Sequence, residues 1–411
     1  MNKPLECHVR LWGEDVGTVA QIGSKIYFQY ENTFLGKNIE ISPLYLPLGK
    51  KVYETTHLDY FDGLAGVFAD ALPDSWGGKI IENYFLNHQN LCAYEVSSVQ
   101  KLLYMGSRGV GALEFLPAGD AQQVAMRQIL EISELVKQSR KVLRGDVTEL
   151  LPDLFRISSD SLGGAKAKAN VGLNLQTHEL ITSGGQLPEG FDYWMIKFDG
   201  TDEKSTPSHT LLAEKIYLDM AKMCGIRSVE TTVIKDGELS HLAVKRFDRM
   251  GNEKPLHTHT LAGMSHMNFK DKQTMSYELF FRTILAVTKD YGALEEGYRR
   301  MVFNVLSGNQ DDHAKNHSFV MDREGKWDLS PAYDISPAFG YGHQMAINFK
   351  DKGVNQDDLL VMAKRFDIKN AKEIVEQQTQ VLQGFETYAK ALDLPQNKIA
   401  DIVRNMKVPK P

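Results

Sequence analysis

Cysteine is scarce in this chain: Cys7, Cys92 and Cys224 are all that 411 residues contain, odd in number and in no CxxC pair. That excludes a disulfide framework and suits a reducing compartment, where the three read as small apolar core residues. No uninterrupted apolar run approaches the roughly 18 residues a membrane helix needs, and the opening MNKPLECHVRLWGED has no apolar signal-like stretch. The expectation is a cytoplasmic protein with no membrane partner. Positive charge is not in excess either: the net charge is -6, which argues against nucleic acid as a bulk electrostatic partner. Internal repeats, low-complexity tracts and long linkers are missing as well. What remains, 42% hydrophobic and 24% charged, is the composition of an ordinary folded chain long enough for two or three domains.

From Glu6 to about Tyr53 apolar and polar residues alternate, as in CHVRLW and KIYFQY, so short antiparallel strands are expected with turns at Gly13, Gly17 and Gly23. The stretch LDYFDGLAGVFADALPDSWGGKIIENYFLNHQ has helical spacing broken by Pro73, Gly77 and Gly78, giving two helices around a turn. A further helix is expected from about Ala121 to Arg144. After Pro152 the pattern turns to strands, enclosing one helix, HTLLAEKIYLDMAKM, stopped by Gly225, and a hairpin, TTVIKDGELSHLAVKRFDR, turning at its DG. Beyond Tyr277 the chain is mainly helical. The division expected is 1–150, β-rich then helical; 151–255, a nucleotide-binding part; and 256–411, a helical part.

The interruption in that last part is GNQDDHAKNHSF at 308–319. Asp311 and Asn316 have the DxxxxN spacing of a protein-kinase catalytic loop, in which Asp orients a nucleophilic hydroxyl and Asn holds a metal ion. HSFVMD and KWDLSPAYD then read as two strands around an REG turn that deliver Asp334, the expected main metal ligand. Hard oxygen donors of this kind suit magnesium. Within the loop Lys315 is placed towards the transferred phosphate, His313 shapes the loop beside the nucleotide, and Asp312 and His317 are expected to do no chemistry. His313 and His317 have zinc-helix spacing, but the accompanying glutamate is missing and strands follow.

Phosphoryl transfer also needs a strand lysine for the nucleotide phosphates and a helix carboxylate to hold it. Lys197 in YWMIKFDG and Glu214 in TLLAEKIYLDM meet these needs. Lys245 in HLAVKRFDR has a similar strand setting, yet no helix with an acid follows it; Lys245, Arg246 and Phe247 are therefore placed at the edge of the nucleotide pocket, with Phe247 against adenine. The phosphate cradle is SLGGAKAKA: Gly163, Gly164 and Ala165 permit close backbone approach, and Lys166 and Lys168 add charge. No GxxxxGKS or GxxxxGKT is present, and GSRGVGAL at 106–113 reads as a structural turn.

In this order the β-rich start, FADALPDSWGG, GSRGVGAL, SLGGAKAKA, the Lys197 strand, AVKRFDR, NQDDHAKN and LSPAYDISPA resemble the blocks of the HipA family of bacterial toxin kinases over nearly the whole chain. The resemblance implies an α+β, bilobal, protein-kinase-like fold with an extra N-terminal β-rich subdomain, using ATP and Mg2+ to phosphorylate serine or threonine. It implies Asp311 as catalytic, Asn316 and Asp334 as metal ligands, Lys197 as the nucleotide lysine, and Ser161 as a phosphate-loop serine whose autophosphorylation disables the kinase. It further implies a HipB-like helix-turn-helix antitoxin, contact with DNA only through that antitoxin, and an aminoacyl-tRNA synthetase as the kind of protein substrate. Two rivals stand beside it: a lipid kinase, since DDHxxN also resembles a phosphoinositide-kinase loop, and a catalytically idle antitoxin-binding co-regulator.

Overall fold

The computed structural model describes residues 4–73, 75–117, 129–144, 166–201, 207–249, 255–271 and 274–408. The chain is α+β and gathers into two compact units. One comprises Met1–Pro207, Ile234–His259 and Val320–Lys326; the other comprises Ser208–Val233, Thr260–Phe319 and Trp327–Pro411.

The first unit begins with a meander. Strands β1 (Leu5–Leu11), β2 (Glu14–Ile22), β3 (Lys25–Tyr30) and β4 (Tyr53–Glu54) pair in sequence, and β5 (Leu113–Leu116) closes the other edge, giving the order β4-β3-β2-β1-β5. Turns fall at Gly13 and Gly23, both with positive φ, as expected. Gly17 is different. It sits inside β2, where a Cβ would lie 2.3 Å from the carbonyl oxygen of Gln29 and 2.8 Å from the Phe28 ring. The glycine serves close approach of strand and aromatic ring, not a turn.

A second sheet, β7-β6-β8-β10-β9, is built from β6 (Lys168–Leu173), β7 (Leu180–Thr182), β8 (Asp192–Lys197), β9 (Thr231–Asp236) and β10 (Leu239–Lys245). Its alternation sorts side chains cleanly. Ala169, Val171, Trp194, Ile196 and Ala243 face a core shared with Trp76 and Ile80 from the helix Ser75–Gln89 and with Leu135, Val136 and Val142 from the helix Ile132–Arg144. The Trp76 indole N–H donates to the Lys168 carbonyl at 2.8 Å, fixing helix to strand. That helix runs through Gly77 and Gly78, which the sequence pattern had suggested would break it. The other helix begins at Ile132, and just before it Ile129 bridges Ile181 and Leu130 N–H donates to Leu180 O at 2.8 Å; residues 118–128, which hold most of the earlier stretch expected to be helical, lie outside the described residues.

The second unit is mainly helical. The helices Tyr277–Thr288 and Tyr291–Ser307 pack so closely that a Cβ on Gly297 would meet Ile284 at 2.5 Å. Helix Thr210–Met223 ends at Gly225, whose φ is +77°, and carries a buried Tyr217 hydroxyl that donates to Ser307 O at 2.8 Å. The helices Gln356–Arg365, Ala371–Gln383, Phe385–Ala391 and Gln396–Asn405 complete it. Among the described residues no helix is long and apolar enough to cross a membrane.

Gly17→Ala should therefore lower stability by about 3 kcal/mol, the cost of overpacking a site without slack. Denaturant unfolding measures this; a change under about 0.5 kcal/mol would show that β2 and β3 can separate freely.

Candidate active site

In the second unit, the long helix Tyr291–Ser307 ends at Gly308, and the chain enters the 309–317 loop before strand Ser318–Met321. The loop is held from below by a buried polar chain. Asn309 Nδ2 donates to Asn304 Oδ1 at 2.9 Å, Asn304 Nδ2 donates to the Tyr277 hydroxyl at 2.9 Å, and that hydroxyl donates to Asp312 Oδ2 at 2.9 Å. Asp312 also accepts from His343 Nδ1 and from Gln344 N–H, each at 2.8 Å. Burial alone would raise the Asp312 carboxyl, but the His343 ring and these donors outweigh it and hold it below the ordinary carboxylate range. Asp312 does no chemistry in the sequence reading; structurally it is the loop's anchor.

Because Asp312 points inward, its neighbour Asp311 points out, with 55% of its side chain exposed. His313 Nε2 lies 3.9 Å from it, and the His313 ring packs near Phe269, over which Lys315 Nζ also sits at 4.8 Å. Asn316 Nδ2 donates to Asp311 O at 2.9 Å, closing the loop on itself and leaving the Asn316 amide oxygen as the group that can face a metal.

Asp334 arrives by the expected route. Strands Ser318–Met321 and Trp327–Leu329 flank the turn, and Ser330 N–H donates to Ser318 O at 2.9 Å. The segment is then pinned by Ala332 N–H to Arg227 O at 2.7 Å, and by the Tyr333 hydroxyl, which donates to Lys315 O at 2.8 Å. Arg300, buried and paired with Glu296 at 2.8 Å, donates to Ser330 O at 2.7 Å. Asp334 itself has φ +55°, a left-handed conformation uncommon for a non-glycine residue and found at functional sites. Asn316 and Asp334 line one small cavity of about 10 Å³, near the room of a single water, together with Asn304, Asn309, Asp312 and His317. Neither ring nitrogen of the buried His317 has a hydrogen-bond partner, and burial pushes this histidine down to about 3, so it stays neutral. The pair of hard oxygen donors, one anionic, fits a magnesium ion. Among the described residues there is no cluster of three or more His, Cys, Asp or Glu side chains placed to hold a metal.

The first unit carries the lysines. Lys168 on β6 and Lys197 on β8 are direct cross-strand partners, and Lys197 in turn opposes Leu242 of β10. Both lysines therefore share the sheet face opposite the Trp76 core, and both are deeply buried, at 2% and 5% exposure. Lys166 is exposed; Ser161, Gly163, Gly164 and Ala165 lie outside the described residues. Lys245 pairs with Asp192 at 2.9 Å at the end of β10. Arg246 N–H donates to Tyr193 O at 2.9 Å, and its guanidinium grips Asp248 at 2.6 and 2.9 Å; Phe247 is half-buried. Asp248 is a second buried anchor, accepting also from Arg249 at 2.7 Å and from Gly111 N–H at 2.9 Å, and the two guanidinium groups overcome its burial to hold it well below the usual carboxylate range. The turn 106–113 is thus fastened to RFDR. Glu214 lies in the second unit, buried on the helix Thr210–Met223.

The fold matches, with a TM-score of 0.72 and 16% identity over 97% of this chain and 94% of the other, a chain in the solved Shewanella oneidensis toxin-antitoxin complex of HipA, HipB and operator DNA. The HipA-like C-terminal domain matches residues 160–406 and the HipA N-terminal domain residues 7–116, so the chain belongs to the HipA family. Similar curated proteins include a putative kinase of Haemophilus influenzae, 35% identical over 113 residues that span 24% of this chain and 32% of that one. The serine/threonine-protein kinase toxin HipA of Shewanella oneidensis is 26% identical over 31% of this chain and 34% of its own. A putative kinase of Sinorhizobium fredii is 25% identical over 62% and 66%. The matched stretches thus span about a third of the first two relatives and two thirds of the third.

Two outcomes test the anchors. Asp312→Ala leaves the Tyr277 and His343 donors buried without their acceptor and should cost about 3–5 kcal/mol in denaturant unfolding; a loss below 1 kcal/mol would show that the loop stands without it. His317 is protonated near pH 6.5 when unfolded but resists protonation when folded, so the unfolded state binds the extra proton. Its contribution makes stability fall as pH drops from about 6.5 towards 3, by about 1.4 kcal/mol per pH unit. His317→Phe should flatten that part of the stability–pH curve.

Proposed function

We propose that this chain is an ATP-dependent serine/threonine protein kinase of the HipA type. The observation that carries the reading is the catalytic loop: Asp311 is turned out towards solvent, while Asn316, bonded to its backbone, lines one cavity with Asp334. Asn316 and Asp334 would hold magnesium, which supplies charge neutralisation on the ATP phosphates. Asp311 accepts the proton of the attacking hydroxyl and orients its oxygen. Its exposure puts the carboxylate within reach of a macromolecular substrate, whereas Asp312 is buried and already accepts from Tyr277, His343 and Gln344.

Lys197, with Lys168 beside it, binds the phosphates. The two side chains are cross-strand neighbours on one buried sheet face, an arrangement that suits a phosphate polyanion. Glu214 is assigned to hold Lys197, as the carboxylate on the helix that follows the lysine strand. Lys315 is assigned to the transferred phosphate and His313 to the loop wall beside it. Lys245, Arg246 and Phe247 are assigned to the rim of the adenine site, with Gly163, Gly164 and Ala165 as the phosphate cradle. A phosphate on Ser161 would place a dianion where ATP phosphates must lie and so exclude them. A HipB-like antitoxin and a protein substrate of the aminoacyl-tRNA synthetase kind complete the proposal; the solved relative is a complex with HipB and operator DNA.

Purified chain incubated with labelled ATP and magnesium should label protein, and Asp311→Gln should lower the rate at least about 100-fold while ATP still binds. Asp334→Asn should weaken magnesium-dependent ATP binding itself. A protein free of phosphate on Ser161 that neither binds ATP nor labels any protein would end the kinase reading.

A further inference from the structure

The segment after Asp334 is built as a platform beside the proposed catalytic aspartate. Gln310, the residue before Asp311, receives the N–H groups of Tyr341 and Gly342 on its Oε1, both at 3.0 Å, and its own N–H donates to Ala338 O at 2.9 Å. With His343 and Gln344 bound to Asp312, residues 338–344 are laced to 310–312 along their length. The segment then returns on itself: His343 N–H donates to Asp351 O at 2.7 Å, and Ile347 and Lys350 exchange hydrogen bonds at 2.8 and 3.0 Å. A Cβ on Gly342 would meet Lys352 at 2.8 Å, so the two arms lie in contact. His343, Met345 and Ile347 point inward and are buried, which makes this a fixed surface rather than a floppy loop.

On that fixed surface two aromatic rings are held out. Tyr341 is 71% exposed and Phe349 85%. The tip turn, Asn348–Phe349, has φ of +48° and +65°, the geometry in which Asn-Gly is strongly preferred. Phenylalanine in that second position is strained and gains nothing from the fold's interior. The turn is nevertheless clamped in place: Asn348 donates to Asp358 at 2.9 Å and accepts from Arg365 at 3.1 Å, while the Arg365 guanidinium sits 5.1 Å from the centre of the Phe349 ring. Strain held rigidly under an exposed ring points to a contact made outside the molecule.

We propose that Tyr341 and Phe349 form the substrate-docking surface of this chain, selecting protein segments that carry an apolar or aromatic residue close to the serine or threonine presented at Asp311. The proposal rests on the kinase reading above. Continuity with the catalytic loop names the occupant, because Tyr341 is tied through Gln310 to the position next to Asp311. A membrane surface is disfavoured by charge, since Lys350 and Lys352 are interleaved with Asp351 and followed by Asp357 instead of forming a basic patch.

The test is a serine- and threonine-centred peptide library labelled with ATP and magnesium by the unaltered chain and by Tyr341→Ser, Phe349→Asn and the double variant. The unaltered chain should favour peptides with a flanking apolar residue, and the double variant should lose that preference, with KM for the favoured peptide raised about tenfold and KM for ATP unchanged. Phe349→Asn should at the same time raise the melting temperature, a combination that a merely structural role would not give. An unchanged peptide preference in the double variant overturns the proposal, as does a uniform fall in kcat with a lowered melting temperature. Adsorption to phosphatidylserine–phosphatidylcholine vesicles that vanishes on Phe349→Asn, with peptide selection intact, overturns it in favour of a membrane contact. No labelling of any peptide or protein by the unaltered chain removes the kinase reading, and the docking surface with it.

Discussion

Asp312 has one carboxylate and three donors, and the second unit is arranged around satisfying it. Tyr277 reaches it from the start of one helix, Asn304 supports Tyr277 from the next, and His343 and Gln344 close from the far side of Asp334. A buried carboxylate tolerates little error in its surroundings, because each missing donor costs far more than each present one contributes. The requirement propagates outward. With Asp312 facing in, Asp311 faces out, and the Asn316 side-chain amide closes onto the Asp311 carbonyl. The proposed catalytic carboxylate is thus positioned by the anchored residue beside it.

Much of this was legible in the sequence where chemistry and periodicity coincide. The DxxxxN spacing, the two short strands after it and the arrival of Asp334 are local consequences of residue order, and the structure has the strands where alternation put them. Lys197 at the end of a strand and Glu214 on a helix followed from pattern length in the same way. The membership in the HipA family rests on the matches to residues 7–116 and 160–406, and the ordered set of motifs had already resembled that family.

What was not legible depends on residues far apart in the chain. Asp312 and His317 look like surplus polarity in a polar loop until Tyr277, Asn304 and His343 are brought around them. Gly17 reads as a turn because glycine between alternating segments usually marks one, and only the neighbouring strand shows that Phe28 and Gln29 need its missing side chain. The two residues Ile129 and Leu130 ahead of the helix at Ile132 are held by β7, a tertiary contact that helical spacing cannot report. Asn348–Phe349 is a similar case: φ values, not residue types, reveal the turn, since the residue that would announce it is not glycine.

The clasp at Asp248 bears on how such a chain can be inherited. The two family domains meet the eye as separate blocks, 7–116 and 160–406, yet Gly111 of the first and Arg246, Asp248 and Arg249 of the second share one buried charge cluster inside a single compact unit. Recombination that exchanged the N-terminal block for an unrelated one would strip the carboxylate of its backbone donor and Arg249 of the Gly109 and Gly111 carbonyls it binds. The boundary between the blocks is therefore a seam in the gene record and not in the folded molecule, and the two halves must change together.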